Sequence, residues 1–139
     1  PLDIDIQVGK PEDCDGDVFG MLLQYPGVSG EVKDYREIIA TVQQQKGVVV
    51  MAADILSLVM LESPGSLGAD IAIGSTQRFG VPMGFGGPHA AYMATREAYK
   101  RNLPGRIVGL SQDQQTSLIR LVAFCSCTHN CFILVILFW

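Results

Sequence analysis

Residues 18–53 read VFGMLLQYPGVSGEVKDYREIIATVQQQKGVVVMAA, and this stretch decides the fold. Residues 18–24 form an apolar run that ends at the turn signal Tyr25-Pro26-Gly27, which is typical of a strand buried on both faces. Residues 48–53 form a second apolar run, of strand length and rich in valine. The two runs predict two neighbouring strands of one sheet.

The segment between the two runs predicts a helix. Apolar and aromatic side chains recur there at steps of three and four residues, namely Val32, Tyr35, Ile38, Ile39 and Val42. Acidic Glu31 and Asp34 lie at the start of this pattern, and Gly47 follows it as a stop signal. Strand, helix and strand within about 35 residues make a βαβ unit, so we expect an α/β fold with a mainly parallel sheet and covering helices.

The rest of the chain continues the alternation of elements. We predict a short helix over residues 55–62, closed by Ser63-Pro64-Gly65. A strand over residues 70–74 then leads into a Gly-rich loop over residues 75–88. The remaining predicted elements are a strand over residues 90–95, a short helix over 96–101 and a small strand over 106–110.

The composition excludes several classes of protein. The net charge is −4 and Lys and Arg are scattered, so the basic stripe of a nucleic-acid-binding protein is absent. The cysteines lack the even spacing of a secreted disulfide framework, which favours a reducing compartment. The chain begins with Pro1 and shows no signal-peptide pattern, so we interpret it as a piece of a longer protein.

The end of the chain departs from this pattern. After Asp113 the only charged residue is Arg120, and residues 131–139 read CFILVILFW. This apolar run is much shorter than the roughly 20 residues that a membrane-spanning helix needs, so we expect no membrane partner. We interpret residues 118–139 as a divergent apolar tail, a truncated or misread end, that follows a partial large domain over residues 1–117.

Two features fall where an α/β sheet binds its ligands, at the carboxyl ends of neighbouring strands. Asp54 directly follows the strand predicted over residues 48–53, and the Gly-rich loop follows Gly74. The Asp54 carboxylate suits pairing with a cationic ring nitrogen. Residue type alone favours a second role, in which Asp54 caps the helix predicted from Ile55, because Asp is a preferred N-cap residue.

The loop with its flanking residues reads GSTQRFGVPMGFGGPH over residues 74–89. Its backbone amides, its hydroxyl groups and Arg78 suit an anionic group such as a phosphate. It matches neither a dinucleotide fingerprint nor a P-loop. A cluster of turns produces the same pattern, and an arginine on a solvated surface needs no ligand, so both interpretations stay open.

Histidine and cysteine provide two further candidates. His89 ends the loop, where an imidazole can stack on an aromatic ring, carry a proton or serve only the structure. Near the end of the chain, single residues separate Cys125, Cys127, His129 and Cys131. Zinc ligands usually have roughly two to four residues between them, so we predict no metal site.

Taken as a block, residues 74–91, GSTQRFGVPMGFGGPHAA, resemble a signature of the N-terminal half of glycine decarboxylase, the P-protein family of the glycine cleavage system. The flanking segments agree with this resemblance: residues 20–25, AADIL at 52–56, Pro64-Gly65 with GADI at 68–71, and YKRNLPGRIVG at 99–109. The similarity runs from about residue 3 to about residue 121. The family then continues with a basic segment, whereas this chain continues VAFCSC at 122–127.

The resemblance implies the fold of transferases of the aspartate aminotransferase type, which depend on pyridoxal 5′-phosphate (PLP). Such P-proteins consist of two homologous halves, and only one half keeps the lysine that binds PLP covalently. By resemblance, Asp54 takes the place of the aspartate that pairs with the PLP pyridine, and Gln77 takes the place of the lysine. The degenerate cofactor-binding set implied in this way is Asp54, Ser75, Thr76, Gln77, Arg78 and His89. An amide forms no imine, so we expect no catalytic residue in this fragment and PLP in the other half.

The activity that the resemblance implies is that of glycine dehydrogenase (decarboxylating). This enzyme decarboxylates glycine by means of PLP and transfers the aminomethyl group to the lipoyl group of the H-protein. The implied partners are the lysine-bearing half, the H-protein and glycine, within an enzyme that forms a dimer. The fragment alone is expected to be inactive.

The implied compartment is the mitochondrial matrix in a eukaryote, which the tail favours, and the cytoplasm in a bacterium. Two alternatives to the enzymatic interpretation stay open. One is a non-catalytic scaffold or anion-binding subunit, and the other is a nonfunctional truncated product.

Overall fold

The computed structural model describes residues 3–14, 17–80, 89–103, 123–124 and 132–138. The strands are β1 (Gly20–Tyr25), β2 (Val48–Ala53), β3 (Ile71–Ser75), β4 (His89–Thr95), β5 (Ala123–Phe124) and β6 (Phe132–Phe138). The α-helices are α1 (Arg36–Gln44) and α2 (Pro64–Leu67). Short 3₁₀ segments occupy Pro11–Asp13, Ser57–Val59, Gln77–Phe79 and Glu97–Asn102.

These strands form one six-stranded sheet in the order β1-β2-β3-β4-β6-β5. The pairs β1-β2, β2-β3 and β4-β6 are parallel, whereas β3-β4 and β5-β6 are antiparallel. The predicted α/β class with a mainly parallel sheet is therefore confirmed. The first three strands lie side by side in chain order, so their carboxyl ends share one edge of the sheet.

One face of this sheet packs against α1 and holds the core. Alternate residues of β2 are buried on that face, including Val49 and Met51, both fully inaccessible to solvent. They pack with Leu23 of β1 and with Ile39 and Val42 of α1. Each large side chain buried in this way contributes roughly 1.5–3 kcal/mol. A helix as short as α1 is stable mainly because of this packing.

The opposite face of β1 is open within the described part of the chain. Leu22 is 66% exposed, whereas Leu23, the next residue along the strand, is 1% exposed. The prediction that this strand is buried on both faces is therefore wrong, because α1 covers only the face that carries Leu23. An apolar run predicts a strand, but it does not determine which faces other elements cover.

Local interactions set the two ends of α1. The helix begins at Arg36 rather than near Val32, and the Asp34 carboxylate accepts a hydrogen bond of 3.0 Å from the Arg36 N–H. At the other end, the Gly47 N–H donates to the Val42 carbonyl oxygen over 2.9 Å. A Cβ atom on Gly47 would lie 2.6 Å from the Val42 side chain. The predicted stop signal therefore serves a close backbone approach.

The segment after β2 differs from the prediction of a helix over residues 55–62. Only the 3₁₀ segment Ser57–Val59 forms there. Ser63-Pro64-Gly65 opens a helix instead of closing one, since Ser63 is the N-cap of α2 and its Oγ accepts a bond from the Ser66 N–H. Proline suits the first position of a helix because its missing N–H has no partner there. The tripeptide was therefore a start signal.

At the edge of the sheet opposite the carboxyl ends of β1, β2 and β3, a buried carboxylate connects several elements through its hydrogen bonds. Asp70 precedes β3, and its Oδ2 accepts hydrogen bonds of 3.0 Å from both the Val49 N–H and the Gln43 side chain. A guanidinium nitrogen of Arg96 lies 3.4 Å from the other carboxylate oxygen. The network links α1 and β2 to the start of β3 and the end of β4.

Part of the apolar tail belongs to the sheet. The backbone of β6 pairs with β4 over its whole length, from His89 opposite Phe132 to Thr95 opposite Phe138. The strand predicted over residues 106–110 lies outside the described residues. Within the described ranges, no helix has the length and apolar character needed to cross a bilayer. The division at residues 117 and 118 stays a prediction.

Candidate functional site

The candidate site lies at the carboxyl ends of β2 and β3. Asp54 is the first residue after β2, and Arg78 lies in the 3₁₀ segment Gln77–Phe79, which follows β3. The two side chains form an ion pair between Oδ2 of Asp54 and the Arg78 guanidinium. The structure thus brings together two residues that the sequence placed at the same edge of the sheet.

Both oxygens of the Asp54 carboxylate have partners. Oδ2 pairs with Arg78, and Oδ1 accepts a hydrogen bond of 3.1 Å from the Leu56 N–H. The Asp54 carbonyl oxygen also accepts a bond of 2.7 Å from the Ser57 hydroxyl. Asp54 therefore performs the local turn-forming role that was one of its two interpretations, although the turn that follows is 3₁₀ rather than α-helical.

Exposure differs between the two members of this pair. The Asp54 side chain is 25% exposed, whereas the Arg78 side chain is 59% exposed. Arg78 therefore reaches inward with one guanidinium nitrogen while most of its side chain faces solvent. An ion pair that is partly solvated in this way contributes little to stability, typically about 1 kcal/mol or less. Its main effect is to place the positive charge of Arg78 beside the Asp54 carboxylate.

A tyrosine that sequence reasoning missed anchors the backbone behind the pair. The Tyr92 hydroxyl donates a hydrogen bond of 2.7 Å to the carbonyl oxygen of Ala53, the residue before Asp54. Tyr92 is 3% exposed. Burial raises the pKa of its hydroxyl to about 12, and the negative charge of Asp54 adds to this shift. The hydroxyl is therefore a neutral donor at physiological pH.

Gly74 makes this contact possible. It lies in β3, between β2 and β4, where a Cβ atom would be 2.2 Å from the Ala53 carbonyl oxygen and 2.5 Å from the Tyr92 ring. No side chain larger than hydrogen fits without a shift of the surrounding strands. A glycine inside a strand is a sequence signal for such a close approach, and this signal was available at Gly74 although the sequence analysis did not use it.

The start of the Gly-rich loop is held by bonds within the protein. The Ser75 hydroxyl donates to the Ala90 carbonyl oxygen over 3.3 Å and accepts from the Gln77 N–H over 3.2 Å. The Thr76 N–H donates to the same carbonyl oxygen over 2.9 Å. These bonds orient the turn that carries Gln77 and Arg78. Whether the loop binds an anion stays a prediction.

Several predicted candidates fall wholly or partly outside the described residues. His89 is the first residue of β4, and its backbone is opposite Phe132. Residues 81–88 of the loop are not described. Within the described ranges, no group of three or more His, Cys, Asp or Glu side chains has the arrangement of a metal site. The cluster Cys125, Cys127, His129 and Cys131 lies outside those ranges, so the prediction there stays untested.

The residues present do not match the requirements of PLP. A PLP site of the implied type needs an amine for the aldehyde and a carboxylate for the ring nitrogen. Gln77 carries an amide where the resemblance places the amine. The carboxylate of Asp54 is bonded to the Leu56 N–H and to Arg78. The first requirement therefore fails within this chain, and Arg78 competes with a ring nitrogen for the carboxylate of the second.

Most of the chain matches known proteins in sequence. Residues 1–124 match the family model described as glycine cleavage system P-protein. The chain is 61% identical over 115 residues to a glycine dehydrogenase (decarboxylating) of Gluconobacter oxydans, and 61% identical over 117 residues to one of Nitrobacter hamburgensis. These alignments cover 81% and 83% of the chain. It nevertheless spans only 12% of the length of each relative.

A solved structure agrees with the sequence comparison. The chain is similar to the glycine decarboxylase (P-protein) of the glycine cleavage system in an inhibitor-bound form, with a TM-score of 0.61 and 36% identity. The similarity covers 70% of this chain and 23% of that one. The sheet and its edge therefore correspond to a part of that larger protein.

Proposed function

This chain belongs to the glycine cleavage system P-protein family, and from that membership we propose that it forms part of a glycine dehydrogenase (decarboxylating). The family match over residues 1–124 carries the proposal. The complete protein decarboxylates glycine and transfers the aminomethyl group to the lipoyl group of the H-protein. PLP supplies the chemistry of that reaction from the lysine-bearing half, which lies outside this chain.

The chemistry of the candidate site supports a non-catalytic role for this chain within that enzyme. The amide of Gln77 cannot condense with an aldehyde, and the Asp54 carboxylate already has two partners. The set Asp54, Ser75, Thr76, Gln77, Arg78 and His89 is then a degenerate counterpart of the cofactor site. Within this set, Asp54, Ser75 and Arg78 organise the edge of the sheet.

Exposed apolar side chains beside the site support a contact with the lysine-bearing half. Val59 and Met60 follow β2 and are 81% and 90% exposed, and Phe79, which follows β3, is 60% exposed. The Asp54–Arg78 pair joins the two segments that carry them. Large apolar side chains with this exposure favour burial against another protein surface. We therefore assign this edge to the contact between the halves.

The location of the covalently bound cofactor tests this proposal. The complete enzyme, purified with PLP, is reduced with borohydride, digested and mapped by mass spectrometry. We expect the label on a lysine outside this chain, and we expect the enzyme before reduction to catalyse glycine-dependent exchange of CO2 in the presence of H-protein. A label on Lys10, Lys33, Lys46 or Lys100 would contradict the vacancy at Gln77. Absence of exchange in the complete protein would favour the scaffold or anion-binding alternative.

A further inference from the structure

We propose that Arg78 is a specificity-determining residue: its guanidinium occupies the Asp54 carboxylate and makes this site reject a cationic pyridine ring. The inference rests on the proposed function, because it concerns the degenerate counterpart of the cofactor site. Arg78 is then a second reason, independent of the missing amine, why this half holds no cofactor. The reason is electrostatic, and it lies in one side chain.

The hydrogen bonds of the Asp54 carboxylate limit what else it can bind. A protonated ring nitrogen needs an oxygen of Asp54 as its acceptor. Oδ1 is bonded to the Leu56 N–H at 3.1 Å, and Oδ2 is paired with Arg78. With the side chain only 25% exposed, the space around the carboxylate is restricted. A ring nitrogen that approaches Oδ2 would therefore compete with the guanidinium.

The charge of the pair is a further limit. The Asp54 carboxylate and the Arg78 guanidinium together have a net charge of zero, so no uncompensated negative charge attracts a cationic ring. A ring cation beside the pair would also meet the positive charge of Arg78 at short range. Like charges at short range repel each other. The pair therefore disfavours a ring cation even where space permits it.

The position of Arg78 in the chain also matters. It directly follows Gln77, and both belong to the 3₁₀ segment Gln77–Phe79. The bonds of Ser75 and Thr76 to the Ala90 carbonyl oxygen fix the entry to this segment. A single turn therefore supplies two features that oppose cofactor binding. One is an amide where an amine would be needed, and the other is a cation on the carboxylate.

The test uses the complete enzyme after reduction with borohydride, which keeps the lysine-bearing half permanently occupied. The probe is 4-deoxypyridoxine 5′-phosphate, a PLP analogue without the aldehyde, so that binding does not depend on an amine. Calorimetric titration measures additional sites. We expect no further binding by the wild-type enzyme. We expect one further site per polypeptide in Arg78→Gln, with an affinity at least 10-fold higher than the weakest binding that the titration detects.

Three further variants make the result specific. Arg78→Lys keeps the cation and is expected to bind no probe, whereas Arg78→Gln combined with Asp54→Asn is expected to lose the gain. Arg101→Gln removes another exposed arginine of the described chain and serves as the matched control. Circular dichroism and thermal melting check that each variant is folded, as expected for the replacement of a side chain that is 59% exposed.

Two outcomes would overturn the inference: probe binding to this half of the wild-type enzyme, or no gain in a folded Arg78→Gln variant. Either result leaves the proposed function intact if the borohydride label lies outside this chain and glycine exchange persists. Failure of the proposed function is instead detected before any probe is added, by the position of the label and by the exchange activity of the wild type.

Discussion

The hydroxyl of Tyr92 in β4 is bonded to the carbonyl oxygen of Ala53 in β2, at 2.7 Å, although β3 lies between these two strands. The tyrosine ring crosses β3 at Gly74, where no side chain is in its way. Ala53 directly precedes Asp54, so this bond fixes the backbone that carries the candidate site. Three residues, Tyr92, Gly74 and Ala53, therefore couple the packing of β2, β3 and β4 to the geometry of the site.

Replacement of Gly74 by alanine tests this coupling. The added Cβ would lie 2.2 Å from the Ala53 carbonyl oxygen and 2.5 Å from the Tyr92 ring, so the strands must move apart. We expect a loss of about 3 kcal/mol in the free energy of unfolding, measured by urea denaturation. Gly9→Ala is the control, because a Cβ there meets no atom within 4 Å. Equal stability of the two variants would show that the crossing is not tightly packed.

The buried network of Asp70 gives a second prediction. Its side chain is 5% exposed and accepts hydrogen bonds of 3.0 Å from Val49 and Gln43, with Arg96 nearby. Asp70→Ala leaves these donors without their acceptor, and we expect a loss of about 3 kcal/mol on chemical unfolding. Asp34→Ala removes a carboxylate that is 62% exposed and is expected to cost much less than Asp70→Ala. A comparable loss in both variants would contradict a structural role specific to Asp70.

Two adjacent leucines of β1 test which face of the sheet holds the core. Leu23 is 1% exposed and packs against α1, whereas Leu22 is 66% exposed on the other face. Leu23→Ala is expected to lower the unfolding free energy by about 3 kcal/mol. Leu22→Ala, the same chemical change one residue away, is expected to cost less than about 1 kcal/mol. A larger effect at Leu22 would mean that another surface covers this face in solution.

Several features that depend on local sequence were predicted correctly, whereas several that depend on distant parts of the chain were not. The bounds of β2 at Val48–Ala53 agree with the predicted strand, because an apolar run rich in valine determines both local conformation and burial. The role of Ser63-Pro64-Gly65 was misassigned, because the same residue types open helices and close them. The burial of β1 was misassigned for a different reason. Coverage of a sheet face depends on elements far away in the sequence.

The candidate site shows the same division. The topology of a parallel sheet predicted that Asp54 and the loop after Gly74 share an edge, and the ion pair between Asp54 and Arg78 agrees with that. The sequence could not show that this arginine pairs with the carboxylate, because the pairing depends on how one 3₁₀ turn is oriented. The Tyr92 anchor was missed because it depends on the register of three strands.

The stability of the protein at alkaline pH provides the last prediction. Burial, with the charge of Asp54, raises the pKa of Tyr92 to about 12 from an ordinary value of 10.0. Between these values the unfolded chain loses the tyrosine proton while the folded protein keeps it, so the unfolded state binds fewer protons and stability falls as pH rises. The contribution is fully present below about pH 10 and is lost by about pH 12, and a shift of this size corresponds to roughly 2–3 kcal/mol.

Tyr92→Phe isolates this effect from other groups that titrate in the same range, such as Tyr25, whose pKa burial also raises. We expect Tyr92→Phe to be less stable than the wild type by about 1 kcal/mol at pH 8, because the bond to Ala53 is lost. Between pH 10 and 12 its stability is expected to fall less steeply, so the two curves of unfolding free energy against pH converge and then cross. Parallel curves would show that the Tyr92 hydroxyl is not held neutral by the fold.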